Sequence, residues 1–439
     1  MDNSALTFYK GGVHPPERKE LCEKNPIEVM PLPQEVSIPF SQHFGSPCKP
    51  LVKKNDEVKE GDLLGALESG MGAVVHSSVS GKVKAVEECL NPMGAKVLAV
   101  NIQVDRDSAP IAYQPTEWRN NSPQELLEKV KAAGIVGMGG AGFPAHIKLS
   151  PPKEAGVDTL ILNGAECEPY LTTDHALMRE RSKEILEGAK IILKILGIKR
   201  CFIGVEENKP DAIRALREAV DKGKEDNEIQ VVVLKTKYPQ GSEKQLIYAI
   251  TQRKVPGFGL PFDVGVVVQN VATTYAIYEA VALGKPLYER VVTITGKGIN
   301  RTANLLIRVG TKIKDVVDYL GGTREDLRRV VVGGPMMGFA VPTLDIPVTK
   351  TTSGILFLTK EEVDESPYKG CIRCGWCLDA CPMGIMPNEI GIYVEADRAQ
   401  ETGQFGVFEC FECGSCAYVC PAKRPLVQFI RYAKTKAKR

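Results

Sequence analysis

Cys371-Ile-Arg-Cys374-Gly-Trp-Cys377-Leu-Asp-Ala-Cys381-Pro382 and, further on, Cys410-Phe-Glu-Cys413-Gly-Ser-Cys416-Ala-Tyr-Val-Cys420-Pro421 are one pattern written twice, C-x2-C-x2-C-x3-C-P. Thiolates at every third residue of a short loop can wrap one face of a cubane. A fourth Cys before a Pro ligates the other cluster of a two-cluster pair. The spacing therefore assigns Cys371, Cys374, Cys377 and Cys420 to one [4Fe–4S] cluster, and Cys410, Cys413, Cys416 and Cys381 to a second. Such a pair moves single electrons.

The rival readings are a disulfide framework and paired zinc sites. Disulfide frameworks belong to small secreted domains, and this chain is long and starts without a signal-peptide pattern. Zinc sites take their ligands in separated pairs, not four within one short run. Eight of the 13 Cys lie in the two runs. Cysteine use is thus concentrated on a cofactor, which points to a reducing cytoplasm.

The remaining composition is that of an ordinary soluble protein, with 439 residues, 43% hydrophobic and 25% charged; length alone suggests two to four domains. A formal net charge of +2 makes no case for nucleic acid. No 18-residue apolar run exists. The nearest candidate, 264–283, contains Gln269, Asn270, two Thr and Glu279, so membrane association is expected to be peripheral or through a partner. The basic C-terminal tail, 429–439, reads as a solvated end.

Upstream of the cysteines, 341–370 reads as a link, and 388–401 between the runs as helical. Residues 290–340 read as strand, short helix at 312–320 and strand, with Val291–Gly296 and Arg329–Val332 clearest. Residues 122–285 alternate strand and helix. Ser122-Pro-Gln-Glu125 is a capping box with Pro at the first helical position, and strands are expected at Thr159–Asn163, Cys201–Val205, Gln230–Leu234 and Val264–Gln269. Such alternation predicts a mostly parallel sheet covered by helices, with ligands at the carboxyl ends of the strands. Residues 39–105 look all-β. Residues 1–38 are rich in Pro and turn residues and read as an extended arm.

A second exceptional stretch is Gly134-Ile-Val-Gly137-Met-Gly139-Gly140-Ala-Gly142-Phe143-Pro144, with Lys148 beyond it. Glycines let backbone N–H groups approach a phosphate or a flat ring. The run follows a helix, so it is not a Rossmann fingerprint, and it lacks the Gly-Lys-Ser/Thr of a Walker motif. On spacing alone a flexible loop remains open.

This stretch resembles the flavin loop of the FMN-containing, NADH-oxidising subunit of respiratory complex I. Three further segments match in order: Asn163-Gly-Ala-Glu166-Cys-Glu168-Pro169, Gly241-Ser-Glu243 and Asn270-Val-Ala-Thr273. The resemblance implies that Gly137, Gly139, Gly140, Gly142, Phe143, Lys148, Asn163, Glu166, Asn270 and Thr273 hold FMN, and that Glu168 and Glu243 orient NAD(H). Ala165 and Ser242 depart from that family's acidic residues. As bare residues, Glu168 and Glu243 have a surface or helix-end carboxylate as the rival reading, Lys148 a solvated lysine and Phe143 a core aromatic. Met336, Met337 and Cys167 read as packed side chains, and His146 and His175 are too isolated for metal ligands.

The all-β segment resembles the lipoyl/biotinyl barrel-sandwich fold, although its turn, Glu68-Ser-Gly-Met-Gly72, has no Lys for attachment. Residues 290–340 resemble a β-grasp module of the SLBB type. The whole order, with Phe8-Tyr-Lys-Gly-Gly-Val-His-Pro-Pro16 and Tyr238-Pro-Gln-Gly-Ser-Glu243, resembles the RnfC component of Rnf electron-transport complexes; the main competitor is a soluble cobalamin reductase with the same modules. The expected fold is multidomain α/β plus β: an arm (1–38), a barrel-sandwich module (39–105), an FMN/NAD(H)-binding α/β domain (122–285), an SLBB-type module (290–340) and a helical two-cluster ferredoxin-like region (360–439). The resemblance implies integral membrane and redox partner proteins, electrons ultimately from ferredoxin, and a peripheral position on the cytoplasmic face of the cell membrane.

Overall fold

The computed structural model describes residues 5–109, 111–223 and 228–438; positions 1–4 and 439 of the arm and tail lie outside it. The centre is a four-stranded parallel sheet in the order Glu228–Leu234, Arg200–Glu206, Thr159–Gly164, Val266–Asn270. Thr159–Gly164 is buried along almost its whole length, with Leu160, Ile161 and Leu162 at its centre, because helices cover both faces, as a parallel sheet requires. Between the first two strands in chain order lie two helices, Thr173–Glu180 and Ser182–Leu196, broken at Arg181. The longer buries Ile185, Ala189, Ile192 and Leu193 against the sheet's main core. The capping box at Ser122 is formed: its hydroxyl accepts from Glu125 N, and the Glu125 carboxylate accepts from Ser122 N.

The register places Asn163 opposite Asn270 at the carboxyl ends of neighbouring strands. Glycine loop and strand ends thereby face one another. Thr273 accepts a hydrogen bond at 2.9 Å from Met138 N in the loop.

The barrel-sandwich module is a four-stranded and a three-stranded sheet packed face to face around Val36, Ile38, Leu64, Val75, Val100 and Ile102. The next module is a six-stranded mixed sheet with the helix Ile313–Tyr319. The structure corrects the sequence reading here. Residues 341–370 are no mere link: Gly354–Thr359 is a fully buried strand between Glu289–Thr295 and Leu327–Val332. Its short continuous apolar run is what a strand buried on both faces carries.

The arm also differs from a plain extended segment. Ile27–Val29 adds a parallel edge strand beside Ala303–Arg308, and Glu35–Pro39 belongs to the barrel-sandwich sheet. Ile27–Val29 lies between Pro26 and Pro31, whereas Glu35–Pro39 ends on its proline, at the last paired position opposite Ala99. Earlier in the arm, Leu6 bridges Leu234, Val13 bridges Tyr238, and Gly12 N donates to Ala380 O at 2.9 Å. The helices Pro387–Glu395 and Leu426–Lys436 close the C-terminal region around Ile390, Val407 and Ile430.

Candidate functional site: a glycine-lined cradle and two thiol-lined cavities

The two cysteine runs fold alike. Arg373 and Glu412, each just before the second Cys of its run, take left-handed backbone with φ of 56° and 65°. Their N–H groups point at the first sulfur of the run, Arg373 N to Cys371 Sγ at 3.4 Å and Glu412 N to Cys410 Sγ at 3.3 Å. Each run then enters a one-turn helix, Trp376–Asp379 or Ser415–Tyr418, which turns the later sulfurs inward.

The result is two thiol-lined cavities. One is lined by Cys371, Cys374, Cys377 and Cys420; the other by Cys381, Cys410, Cys413 and Cys416. Each draws three sulfurs from one run and the fourth from the other. Among the described residues no three such donors converge on a point that would hold a lone ion. The thiols ring a space, which suits a cubane and does not suit zinc. Burial and the facing thiolates of Cys413, Cys410 and Cys381 push the Cys416 thiol upward, a strain that cationic iron relieves. The donor set therefore fits two [4Fe–4S] clusters.

The cavities differ in depth. Cys381, Cys413 and Cys416 are buried, whereas Cys374 is exposed beside Ile372 and Trp376, both more than half exposed.

The cradle is built from the loop after the helix Pro123–Ala132 and from the strand ends. Gly137 N bonds Phe143 O, closing the loop on itself. A Cβ at Gly140 would meet nothing within 4 Å, so this backbone is open for a flat ligand. Asn270 caps the helix Val271–Tyr278 through Ala272 N and Thr273 N and gives its Nδ2 to Asp174 at 2.7 Å. Asn163 Nδ2 donates to Gly241 O at 2.8 Å. Lys148 and Glu243 pair at 2.5 Å, half-exposed. Open glycine backbone, amide side chains at two strand ends and a cation beside them fit the ring and phosphate of FMN.

Not every expected ligand faces this space. The Glu166 carboxylate accepts from Asp174 N at 2.7 Å and His175 N at 3.2 Å, so it caps the helix Thr173–Glu180. Thr273 is fully buried and holds the loop. Glu168 accepts from Met336 N at 3.1 Å and Met337 N at 2.9 Å, in the neighbouring module's turn. Burial raises its carboxyl to about 7 against these donors. Its neighbourhood is Tyr238, whose hydroxyl donates to Cys413 O at 2.6 Å. His175 pairs with Asp211 at 2.7 Å, and Cys167 accepts from Gly241 N at 3.3 Å.

Of the buried lysines that sequence reasoning missed, two hold the loop behind the cradle. Lys19, in the arm, donates to the carbonyls of Glu166 at 3.0 Å, Glu168 at 2.9 Å and Leu171 at 2.5 Å. Lys209 donates to Ala165 O at 2.8 Å and to Glu206 at 3.2 Å. Together they hold a loop with positive φ at Glu166 and Tyr170, 48° and 68°. Lys209 opens a helix, and a lysine there reads as solvated; nothing in either local pattern marks the burial.

Comparison with known proteins follows the same order of parts. The Nuo51 FMN-binding domain family matches residues 130–279, the RnfC barrel sandwich hybrid domain 7–107, the SLBB domain 291–340 and the 4Fe-4S dicluster domain 370–423. A relative from Clostridium ljungdahlii, the C component of a proton-translocating ferredoxin:NAD(+) oxidoreductase complex, is 47% identical over 434 residues, 98% of this chain and 94% of that protein. The counterpart from the Na(+)-translocating complex of Acetobacterium woodii is 45% identical over 428 residues, 97% and 96% of the two chains. Among solved structures, an NAD+-reducing [NiFe]-hydrogenase in the H2-reduced state shares the fold at a TM-score of 0.50 and 16% identity, over 73% of this chain and 61% of that one. Near-complete coverage at such identity, with all four modules in register, means that the chain belongs to the RnfC family, the C components of Rnf-type ion-translocating ferredoxin:NAD+ oxidoreductase complexes.

Proposed function

We propose that the chain is the NAD(H)-interacting subunit of its complex, with hydride exchange at the glycine-lined cradle and single-electron transfer through the two thiol-lined cavities. FMN, when bound, supplies the conversion between a hydride's two electrons and one-electron carriers such as [4Fe–4S] clusters. Gly137, Gly139, Gly140, Gly142 and Phe143 would shape its bed, with Lys148, Asn163 and Asn270 around it. Glu166 and Thr273 act one step back, on the helix and loop that position those groups. Glu243, on the cradle side, is assigned to the nicotinamide. Glu168 is assigned to the junction with the buried cavity.

One observation carries this reading: Tyr238–Glu243 spans both sites. Tyr238 bonds the backbone of Cys413, Gly241 bonds Asn163 and Cys167, and Glu243 pairs with Lys148. Five residue steps reach at most about 18 Å, so the cradle and the Cys381/Cys410/Cys413/Cys416 cavity are near neighbours. That set is therefore the inner one. The Cys371/Cys374/Cys377/Cys420 set, with exposed Cys374, is the outer one, where a redox partner can reach it.

Among the described residues no helix is long and apolar enough to cross a membrane. The chain is thus proposed as a peripheral member of its complex on the cytoplasmic face, exchanging electrons, ultimately those of ferredoxin, with integral membrane and redox partners. Anaerobic titration of the purified, cofactor-loaded chain with NADH tests the reading. Flavin absorbance should bleach first and cluster absorbance follow, in proportion to added hydride. A flavin that stays oxidised, or clusters that stay oxidised while flavin bleaches, would overturn it.

A further inference from the structure

The barrel-sandwich module has no role in the scheme above, and its tight turn carries no Lys. That turn is nevertheless packed. Ser46 N donates to Met71 O at 2.8 Å, His43 Nε2 lies 2.8 Å from Ser46 O, and a Cβ on Gly72 would sit 2.6 Å from His43 Nε2. The turn thus buttresses the loop Gln42–Ser46. This loop in turn lies on the glycine cradle: Phe44 N donates to Gly142 O at 3.0 Å. Gly142 has φ +70°, and a Cβ there would meet Gln42 O and His43 Cα at 3.2 Å and Thr351 at 2.8 Å. A side chain there would be strained both by the left-handed backbone and by this close approach. The other end of the cradle loop is braced as well, because Lys350 Nζ donates to both Val74 O and Gly134 O at 2.8 Å.

What this bracing presents is a pair of rings. Phe44 and Phe143 stand with centroids 6.0 Å apart and planes 30° from parallel, yet Phe44 remains 52% and Phe143 36% exposed. A spacing of 6.0 Å is too small to admit a third ring between them, which needs about 7 Å, and is normal for direct aromatic contact. The two rings are therefore in direct contact and both partly exposed, on the rim of a cradle open at Gly140. Two phenyl rings held by backbone hydrogen bonds and left in water offer a rigid π-surface, the feature that binds flat nucleobases irrespective of their hydrogen-bonding edges.

We propose that Phe44, supplied by the barrel-sandwich module, completes the dinucleotide site: with Phe143 it forms the platform on which a planar heteroaromatic ring of NAD(H) stacks. The inference rests on the hydride-exchange reading of the same cradle. It gives the module a use that needs no attached cofactor. The turn that in carrier proteins displays a lysine serves here to hold Phe44 in place. Phe44 binds and positions; it takes no part in electron transfer.

The test is calorimetric titration of the full cofactor-loaded chain, anaerobically, with NAD+ and separately with ADP-ribose. Phe44→Ala should weaken NAD+ binding by roughly fivefold to a hundredfold, with flavin content and flavin spectrum unchanged. Phe44→Trp should bind within about twofold of the parent. Leu51→Ala, which removes another exposed apolar side chain of the same module, should bind like the parent. An equal loss for ADP-ribose supports the proposal with the adenine end on the platform; a loss confined to NAD+ supports it with the nicotinamide end there. An unchanged affinity in Phe44→Ala, a matching loss in Leu51→Ala, or loss of flavin from Phe44→Ala each overturns the proposal while leaving the hydride-exchange reading intact. A parent chain that binds neither probe overturns both.

Discussion

Replacing Lys19 by Met should loosen the cradle from a distance. The substitution keeps the aliphatic stem and removes only the ammonium. That ammonium donates to three carbonyls, of Glu166, Glu168 and Leu171, and the residue is 4% exposed. A buried carbonyl left without a donor costs about 1–3 kcal/mol. Three of them sum to several kcal/mol, and the relief of burying a cation offsets part of that. Burial indeed lowers the Lys19 pKa, against the nearby Glu166 carboxylate which raises it. A net loss of about 3 kcal/mol remains. It should appear locally, because the lysine holds a loop with two left-handed non-glycine residues and Glu166 caps the next helix from that loop. Hydrogen exchange read on peptides covering 164–180 is the assay, since global unfolding of a chain with several domains is not two-state. Amides of Asp174 and His175 should exchange on the order of a hundredfold faster in Lys19→Met, with flavin released at lower urea. Lys24→Met, an exposed neighbour, should change neither. Unchanged protection at 164–180 in Lys19→Met would refute the reasoning.

Cys381→Ser should abolish the same cluster EPR signal as Cys413→Ser and leave the one lost in Cys374→Ser; loss of the other signal would uncross the ligation. Asn270→Ala removes a helix cap and the bond to Asp174, which should cost about 1–2 kcal/mol and lower flavin affinity, read by fluorescence of released FMN. Glu168 carries a pH dependence with a definite sign. Its carboxyl is raised from 4.5 to about 7 by burial, so between those values the unfolded chain has lost a proton that the folded chain keeps. Stability from this group is present below the lower value and falls as pH rises through the window. The local stability gap between Glu168→Gln and the parent should therefore shift in favour of the variant by roughly 2–3 kcal/mol from pH 4.5 to 7, measured by hydrogen exchange of peptides covering 164–180 in both proteins at each pH; a constant gap would count against it.

Local pattern carried much of this architecture. The cysteine spacing implied the crossed sets that the two cavities display, because a short loop leaves its sulfurs few directions. The parallel strands were legible from alternation with helices, and the helix at Ser122 from its capping box. What local pattern could not carry was pairing over long separations. Gly354–Thr359 became a central strand only because strands some sixty and twenty-five residues away flank it. Glu166 and Thr273 matched a flavin motif by residue type, yet their side chains are spent on a helix cap and a loop hydrogen bond, a distinction that only geometry reveals. Lys19 and Phe44 lie in segments whose sequence looks like connector, and their importance arises from what the fold brings to them.

The arm has a consequence for how the molecule is made. Its residues touch the parallel sheet at Leu234, the flavin-domain loop through Lys19 and the backbone at Ala380 through Gly12. Ribosomes release chains from the N-terminus, and domains tend to fold as they emerge. Here the stretch around Gly12 cannot complete its contacts until Ala380 and its neighbours have been synthesised. The middle domains can assemble cotranslationally, but the seam between flavin domain and cysteine region closes only afterwards. That delay leaves the thiols of Cys381 and Cys413 accessible to an iron–sulfur donor during the interval before the arm lies down over them.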